Sequence, residues 1–260
     1  MPDQRLEASR FFLKDLIRQQ VDFSQTAQSR RLPAPPGQKP CPAEVVRIDL
    51  PDGREALDRL GRIPLGEAIF QRKSIRNYST ASLSLEELSF LLFAAQGVRQ
   101  VLGASVALRT VPSAGARHAF ETYVVVNRVD SLSAGIYRYL PFDGQLARLG
   151  LDPGIGLQAA AACLGQKFIG AAAVSIFWTV IPERTEWRYG IAAHKVIAID
   201  VGHVGQNLYL AGQAIDAGIC TVAAYDQTAC DRLLGVDGVD EFTIYIAAVG
   251  KLPPRSVEGR

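Results

Sequence analysis

The chain has 260 residues, 48% of them hydrophobic and 21% charged, with a formal net charge of +2. That balance, with basic residues spread along the chain, gives no electrostatic footprint for DNA or RNA and fits a globular protein with ample core. No apolar run reaches the roughly 18 residues of a membrane span, and the N-terminal M-P-D-Q-R-L-E lacks a signal-peptide core, so a cytoplasmic protein is expected.

Residues Arg5 to Val21 place Leu6, Phe11, Phe12, Leu13, Leu16 and Ile17 on a broad stripe, which predicts a helix that needs a surface to pack on. The prolines of R-R-L-P-A-P-P-G-Q-K-P-C-P, Arg30 to Pro42, then forbid regular structure and favour an extended strap. Residues 1–42 read as a helical arm on a strap, able to dock on its own body or on a partner subunit. Residues 43–260 read as the main domain, its body beginning near Gly61 after the short apolar V-V-R-I-D-L.

Next, the apolar L-G-E-A-I-F runs into R-K-S-I-R-N-Y, Arg72 to Tyr78. Three cations in seven residues suit a solvated helix end, where they meet the negative end of the dipole. They also suit an anion: if the helix continues, Arg72 and Arg76 share a face, and Ser74 adds a hydroxyl. Ser84 to Gly97 predicts a helix opened by a capping box, Ser84 with Glu87, and closed by Gly97. The loop R-T-V-P-S-A-G-A-R-H, Arg109 to His118, combines proline, small residues and glycine in a tight turn whose amides can approach a flat ligand.

Glu121 to Asn127 and I-Y-R-Y-L after it predict strands, and Ala171 to Val180 a buried one. From Trp187 to Ala217 the pattern predicts one long helix, buried by neighbours or another subunit, in which Gly202 and Gly205 admit a close backbone. G-I-C-T-V-A-A-Y (strand), a short helix around Asp231 and E-F-T-I-Y-I-A-A-V-G (strand) complete an α+β fold, a mainly antiparallel sheet flanked by helices. Cys41, Cys163, Cys220 and Cys230 form no C-x-x-C pair, so neither structural zinc nor a disulfide framework is expected.

Five landmarks occur in order: R-K-S-I-R, P-S-A-G, G-H-V-G-Q-N-L-Y-L-A, G-I-C-T-V-A-A-Y-D and A-V-G-K. In that order, over about Ile63 to Pro254, the chain resembles the nitroreductase superfamily, most closely its SagB-type, thiazoline-oxidase-like branch. The resemblance implies an intertwined homodimer with FMN bound non-covalently at the subunit interface, and ping-pong hydride transfer with NAD(P)H as donor. It further implies reduction of nitro- or quinone-like acceptors, or oxidation of a peptide-derived azoline, or a flavin-binding dimer without turnover.

By the same resemblance, Arg72, Ser74 and Arg76 hold the flavin phosphate and ribityl chain, with Lys73 near the ring edge. Pro112, Ser113 and Gly115 match a loop reaching the flavin from the second subunit, and Gln166 a polar position facing the ring. Val222, Ala223 and Ala224 match the backbone beside N5, and Lys251 and Arg255 the C-terminal cations of the phosphate site. The chain departs from the pattern at Asp216-Ala217-Gly218, where relatives carry G-L-G, and at Ala223, where they often carry glycine. It also lacks the Lys-Tyr dipeptide linked to azoline oxidation. No catalytic side chain is assigned, because the flavin carries the hydride chemistry. His203 is expected to take a hydrogen-bonded structural or interface role, Cys220 to be a small buried hydrophobe, and His118 to be either structural or turned toward a substrate pocket.

Overall fold

A computed structural model of the chain describes residues 4–103 and 106–253. Helix α1 (Gln4–Leu13) is followed by 3-10 turns at Asp15–Gln20 and Phe23–Gln25. The helix expected to reach Val21 is therefore shorter, because Lys14 adopts extended backbone. No residue of α1 is buried. The proline strap lies on its own chain. Lys39 N donates to Glu121 Oε1 at 2.7 Å, and Arg109 and Arg138 donate to the carbonyls of Gly37 and Pro40, both at 2.8 Å. Trp187 Nε1 donates to Leu32 O at 3.0 Å.

Beneath the strap, Glu121 takes Arg184 at 2.5 Å and faces Arg138 at 3.7 Å, while Glu241 takes Lys39, Tyr123 and Thr179. Carboxylates this deep persist because cations and hydroxyls surround them.

Strand β1 (Arg47–Asp49) already pairs with the sheet, so the body begins before Gly61. Helix α2 (Gly53–Leu60) starts at Asp52, whose carboxylate accepts the amides of Arg54 and Glu55, and α3 (Leu65–Gln71) follows Pro64. Helix α4 (Leu85–Gln96) opens with the complete Ser84–Glu87 capping box and ends at Gly97, as its sequence predicts. Strands β2 (Val98–Gly103) and β3 (Val106–Arg109) pair separately from the main sheet.

The main sheet continues with β4 (Phe120–Val126), β5 (Gly135–Leu140) and β6 (Gln145–Leu151), then α5 (Ile155–Ala162) and α6 (Lys167–Ala171). Strand β7 (Val174–Val180) starts later than Ala171, because Ala171 ends α6 and Ala172 is its C-cap. Helix α7 (Glu183–Tyr189) and helix α8 (Ala193–Ala214) replace the single helix expected over Trp187 to Ala217. Gly190 separates them with φ 53° and ψ −139°, a conformation essentially closed to residues bearing a Cβ. Strand β8 (Ala217–Val222), helix α9 (Gln227–Leu234) and strand β9 (Phe242–Lys251) end the fold.

The strand order is β1-β6-β5-β4-β7-β9-β8, every pairing antiparallel, which is the α+β architecture expected. All seven residues of β4 and of β7 are buried. Alternation sends Val124, Val126, Ile176 and Trp178 toward α2, α4 and α8, and Tyr123, Val125 and Phe177 toward α5, α6 and α9. The sheet is thus covered on both faces, while β8 forms one of its edges.

Candidate functional site

Helix α3 stops at Gln71, and Arg72, with φ −55° and ψ 124°, starts an extended run through the cation cluster. The helical register that would set Arg72 and Arg76 on one face does not form. Tertiary pairing overrides it: Ser74 bridges Ile219 in parallel, and Ile75 N donates to Ile219 O at 2.8 Å. The open edge of β8 captures the segment, as unpaired strand edges do. Arg72 and Ser74 fall on the α8 side of that edge, with the Arg72 guanidinium 5.2 Å from the centre of the Tyr209 ring and Ser74 Oγ 2.8 Å from Tyr209 Oη. Arg76 falls on the α6 side, 5.7 Å from the Phe168 ring centre and hydrogen-bonded to the Cys220 thiol.

Lys73, Ser74 and Arg76 are exposed and Arg72 is half-buried. Among the described residues none of the three cations forms an ion pair. Three uncompensated cations on one short segment raise the local potential and favour an anion there. Cys220 is buried, as expected; burial pushes its thiol pKa up, and Arg76 pulls against that shift.

The outward row of β8 has a clear register. Ile219 O accepts from Ile75 N, and Thr221 N donates to Tyr209 Oη at 3.0 Å. The next outward position is Ala223, one residue past the last β8–β9 pair, Val222 with Ile246. Val222 is buried, whereas Ala223 and Ala224 are exposed. Gln166, at the start of α6, donates Nε2 to Ala224 O at 2.8 Å and to Cys163 O at 2.9 Å, fixing the strand end from the α6 side. The structure therefore brings Arg72, Ser74, Arg76, Gln166 and Val222–Ala224 together along one sheet edge.

Two predicted groups stand apart. Lys251, the last residue of β9, pairs with Ala217 of β8, but its ammonium turns to Glu87 Oε1 at 2.8 Å and Ile215 O at 2.5 Å. The Pro112–Gly115 loop lies against the other end of α8. Asp200 Oδ2 accepts Ala114 N at 2.9 Å and takes a hydrogen bond from Ser113, whose Oγ accepts His118 N. Burial raises the Asp200 pKa, and these hydrogen bonds oppose the rise. Gly115 has φ 60°, and a Cβ there would stand 2.6 Å from Arg188 Cδ. Arg255 lies outside the described residues.

His118 is buried, and its pKa falls to about 3. Burial is the main cause, and Arg109, Arg117 and Arg184 add to it against a hydrogen bond with the Ala107 backbone. A neutral, enclosed imidazole is not turned toward a substrate pocket. His203 is exposed on α8. A cavity of about 750 Å³, lined by Asp49, Asp52, Leu57, Phe93 and Asp143 among others, includes none of the predicted site residues. Sequence reasoning missed Tyr209 and Asp200. The acid within the apolar A-I-D-V-G was a legible signal, whereas Tyr209 reads as one more core aromatic.

A family model described as the nitroreductase family matches residues 69–251. A protein of Methanocaldococcus jannaschii, provisionally named a nitroreductase, is 34% identical over 208 residues, which is 80% of this chain and 98% of that one. The crystal structure of a Ralstonia eutropha JMP134 protein with the same provisional name has a TM-score of 0.66 and 25% identity, covering 86% of this chain and 100% of the other. A Desulfovibrio desulfuricans structure in complex with FMN shares the fold, with a TM-score of 0.53 and 18% identity over 76% of this chain and 92% of its own.

Proposed function

Because the chain belongs to the nitroreductase family, we propose that it is an FMN-dependent oxidoreductase working as a homodimer, with NAD(P)H as electron donor and a nitro- or quinone-like compound as acceptor. The observation that carries this reading is the set of cations at Arg72, Lys73 and Arg76, without ion-pair partners among the described residues, beside the open end of β8. That donor set fits a flavin phosphate and ribityl chain, and the D. desulfuricans protein of the same fold is in complex with FMN. When bound, FMN would supply the hydride chemistry, with donor and acceptor using the site in turn as the ping-pong reading requires.

The chain's own groups hold and tune. Arg72, Ser74 and Arg76 supply charge and hydrogen bonds on the phosphate and ribityl side, with Lys73 at the ring edge. The Ala223 amide would face the flavin ring, and Gln166 keeps that strand end in place through Ala224. The Ala223 methyl narrows the space over the ring. The Lys251 ammonium, held by Glu87 and Ile215 O, stays off the phosphate, and Pro112, Ser113 and Gly115 would cover the flavin of the second subunit. Exposed apolar side chains next to the cations support a subunit interface there: Leu65, Ile69 and Phe70 are 67%, 56% and 91% exposed. The missing Lys-Tyr pair favours reduction of a small molecule over oxidation of a peptide-derived azoline.

The purified protein is expected to be yellow, with bands near about 370 and 450 nm that bleach on adding NAD(P)H, and to release FMN on heating. Arg72→Ala and Arg76→Ala should each weaken FMN binding about tenfold or more. A colourless protein that fails to bind added FMN would refute the cofactor assignment. Bound FMN that no nicotinamide reduces would refute NAD(P)H as donor and leave azoline oxidation or a flavin-binding dimer without turnover.

A further inference from the structure

One side chain of α8 touches both halves of the sheet-edge site. Tyr209 is 7% exposed, and three residues from two separate segments, Arg72, Ser74 and Thr221, converge on it. Its ring lies under the Arg72 guanidinium at 5.2 Å. Its hydroxyl sits 2.8 Å from Ser74 Oγ, accepts Thr221 N at 3.0 Å, and lies 3.3 Å from Thr221 Oγ1. Thr221 Oγ1 in turn accepts Tyr245 Oη at 2.7 Å.

The geometry is selective. The Thr221 amide points out of the edge strand and would stay unpaired without a partner beyond the sheet; Tyr209 is that partner. Ser74 is the residue bridged to Ile219, two positions before Thr221. Beside the backbone bond from Ile75 N to Ile219 O, the phenol therefore adds a side-chain tie between the cation segment and the part of β8 leading to Val222 to Ala224. Its ring face orients Arg72, which is otherwise a long and mobile side chain. No other described side chain hydrogen-bonds both Ser74 and β8.

We propose that Tyr209 is a positioning residue that braces the phosphate-side segment, Arg72 and Ser74, against the ring-side end of β8, so that one ligand meets both at a fixed spacing. The proposal rests on the flavin reading above. It predicts a particular pattern of loss: removing the hydroxyl loosens Ser74 and Thr221 together, so a ligand that uses both halves suffers more than one that uses the ring half alone.

The test is to titrate full-length wild type, Tyr209→Phe, Tyr209→Leu and Tyr245→Phe with FMN and with riboflavin, which lacks the phosphate. Amide exchange over residues 219–224 is measured in the same proteins without flavin. Tyr209→Phe should lower the preference for FMN over riboflavin about tenfold and speed exchange of the Thr221 amide by a similar factor. Tyr209→Leu should lower the preference about threefold further by removing the face under Arg72. Tyr245→Phe, which removes only the hydrogen bond to the Thr221 hydroxyl and keeps the ring, should stay within about twofold of wild type on both measures. An unchanged preference together with unchanged exchange in Tyr209→Phe overturns the brace. Wild type that binds neither ligand overturns the flavin reading, and exchange alone then decides the brace, faster supporting it and unchanged refuting it. Should Tyr209→Phe not fold, Ser74→Ala removes the same hydrogen bond from its other end and must shift the preference in the same direction.

Discussion

Lowering the pH from 7 to 5 should cost this protein about 2 kcal/mol of stability through His118 alone. The imidazole is 5% exposed, in a loop whose neighbours Arg109, Arg117 and Arg184 are all cations, and its folded pKa is about 3. In the unfolded chain it titrates near about 6.5. Between those values the unfolded state binds a proton that the folded state refuses, so stability is present above the unfolded pKa and lost as the pH falls. One group of this kind contributes about 0.2 kcal/mol of destabilisation at pH 7 and about 2 kcal/mol at pH 5. His118→Asn removes the titration while tolerating the backbone, since φ is 46° and asparagine enters the left-handed region more readily than most residues. Urea unfolding of both proteins at pH 7, 6 and 5, at one protein concentration, isolates the difference. The wild type should lose about 2 kcal/mol more than the variant between pH 7 and pH 5. Parallel pH profiles would show that His118 charges freely in the fold and would refute the enclosed imidazole.

Glu121→Gln removes the carboxylate that faces Arg184 and Arg138 and leaves buried guanidinium groups uncompensated. A loss of about 3–5 kcal/mol is expected by urea unfolding at neutral pH, with faster limited proteolysis of the strap at residues 30–42. A loss under about 1 kcal/mol would mean that the strap and sheet hold without this network. Gly115→Ala forces a Cβ onto a backbone with φ 60° and displaces Arg188, and should lower stability by about 1–2 kcal/mol in the same assay. An unchanged value would show that the Pro112–Gly115 loop relaxes around the methyl group.

Local signals made part of this fold legible. The capping box at Ser84 and Glu87, the β-branched run of β4 and the apolar run of β7 each carry their structure within a few residues. Two breaks were not legible. Gly190 sits within a helical pattern, and only its φ of 53° separates it from a tolerated helical glycine. Arg72 to Arg76 read as a helix end because spacing reports one segment at a time, whereas a strand about 140 residues further on fixes its backbone. The site behaved likewise. The cations were visible as a cluster, but Tyr209 meets Ser74 across 135 positions, a contact that periodicity does not encode.

Helix α8 explains why the predicted site residues fall into two groups. Asp200 holds the Pro112–Gly115 loop, and Tyr209 holds the cation segment. At about 1.5 Å and 100° per residue, the two positions lie about 13 Å apart along the axis and about 180° apart around it. Both are buried, so each group is fixed to the helix and neither can swing to meet the other. Within one chain the loop and the cations therefore stand on opposite sides of a rigid rod. In the proposed dimer that separation becomes a requirement: a flavin touched by both takes its cations from one subunit and its loop from the other. Between the two anchors, Gly202, His203 and Gln206 are exposed, and a Cβ at Gly202 would meet nothing within 4 Å. If the proposed dimer brings a second helix to this face, its crossing angle would set the geometry of both sites together.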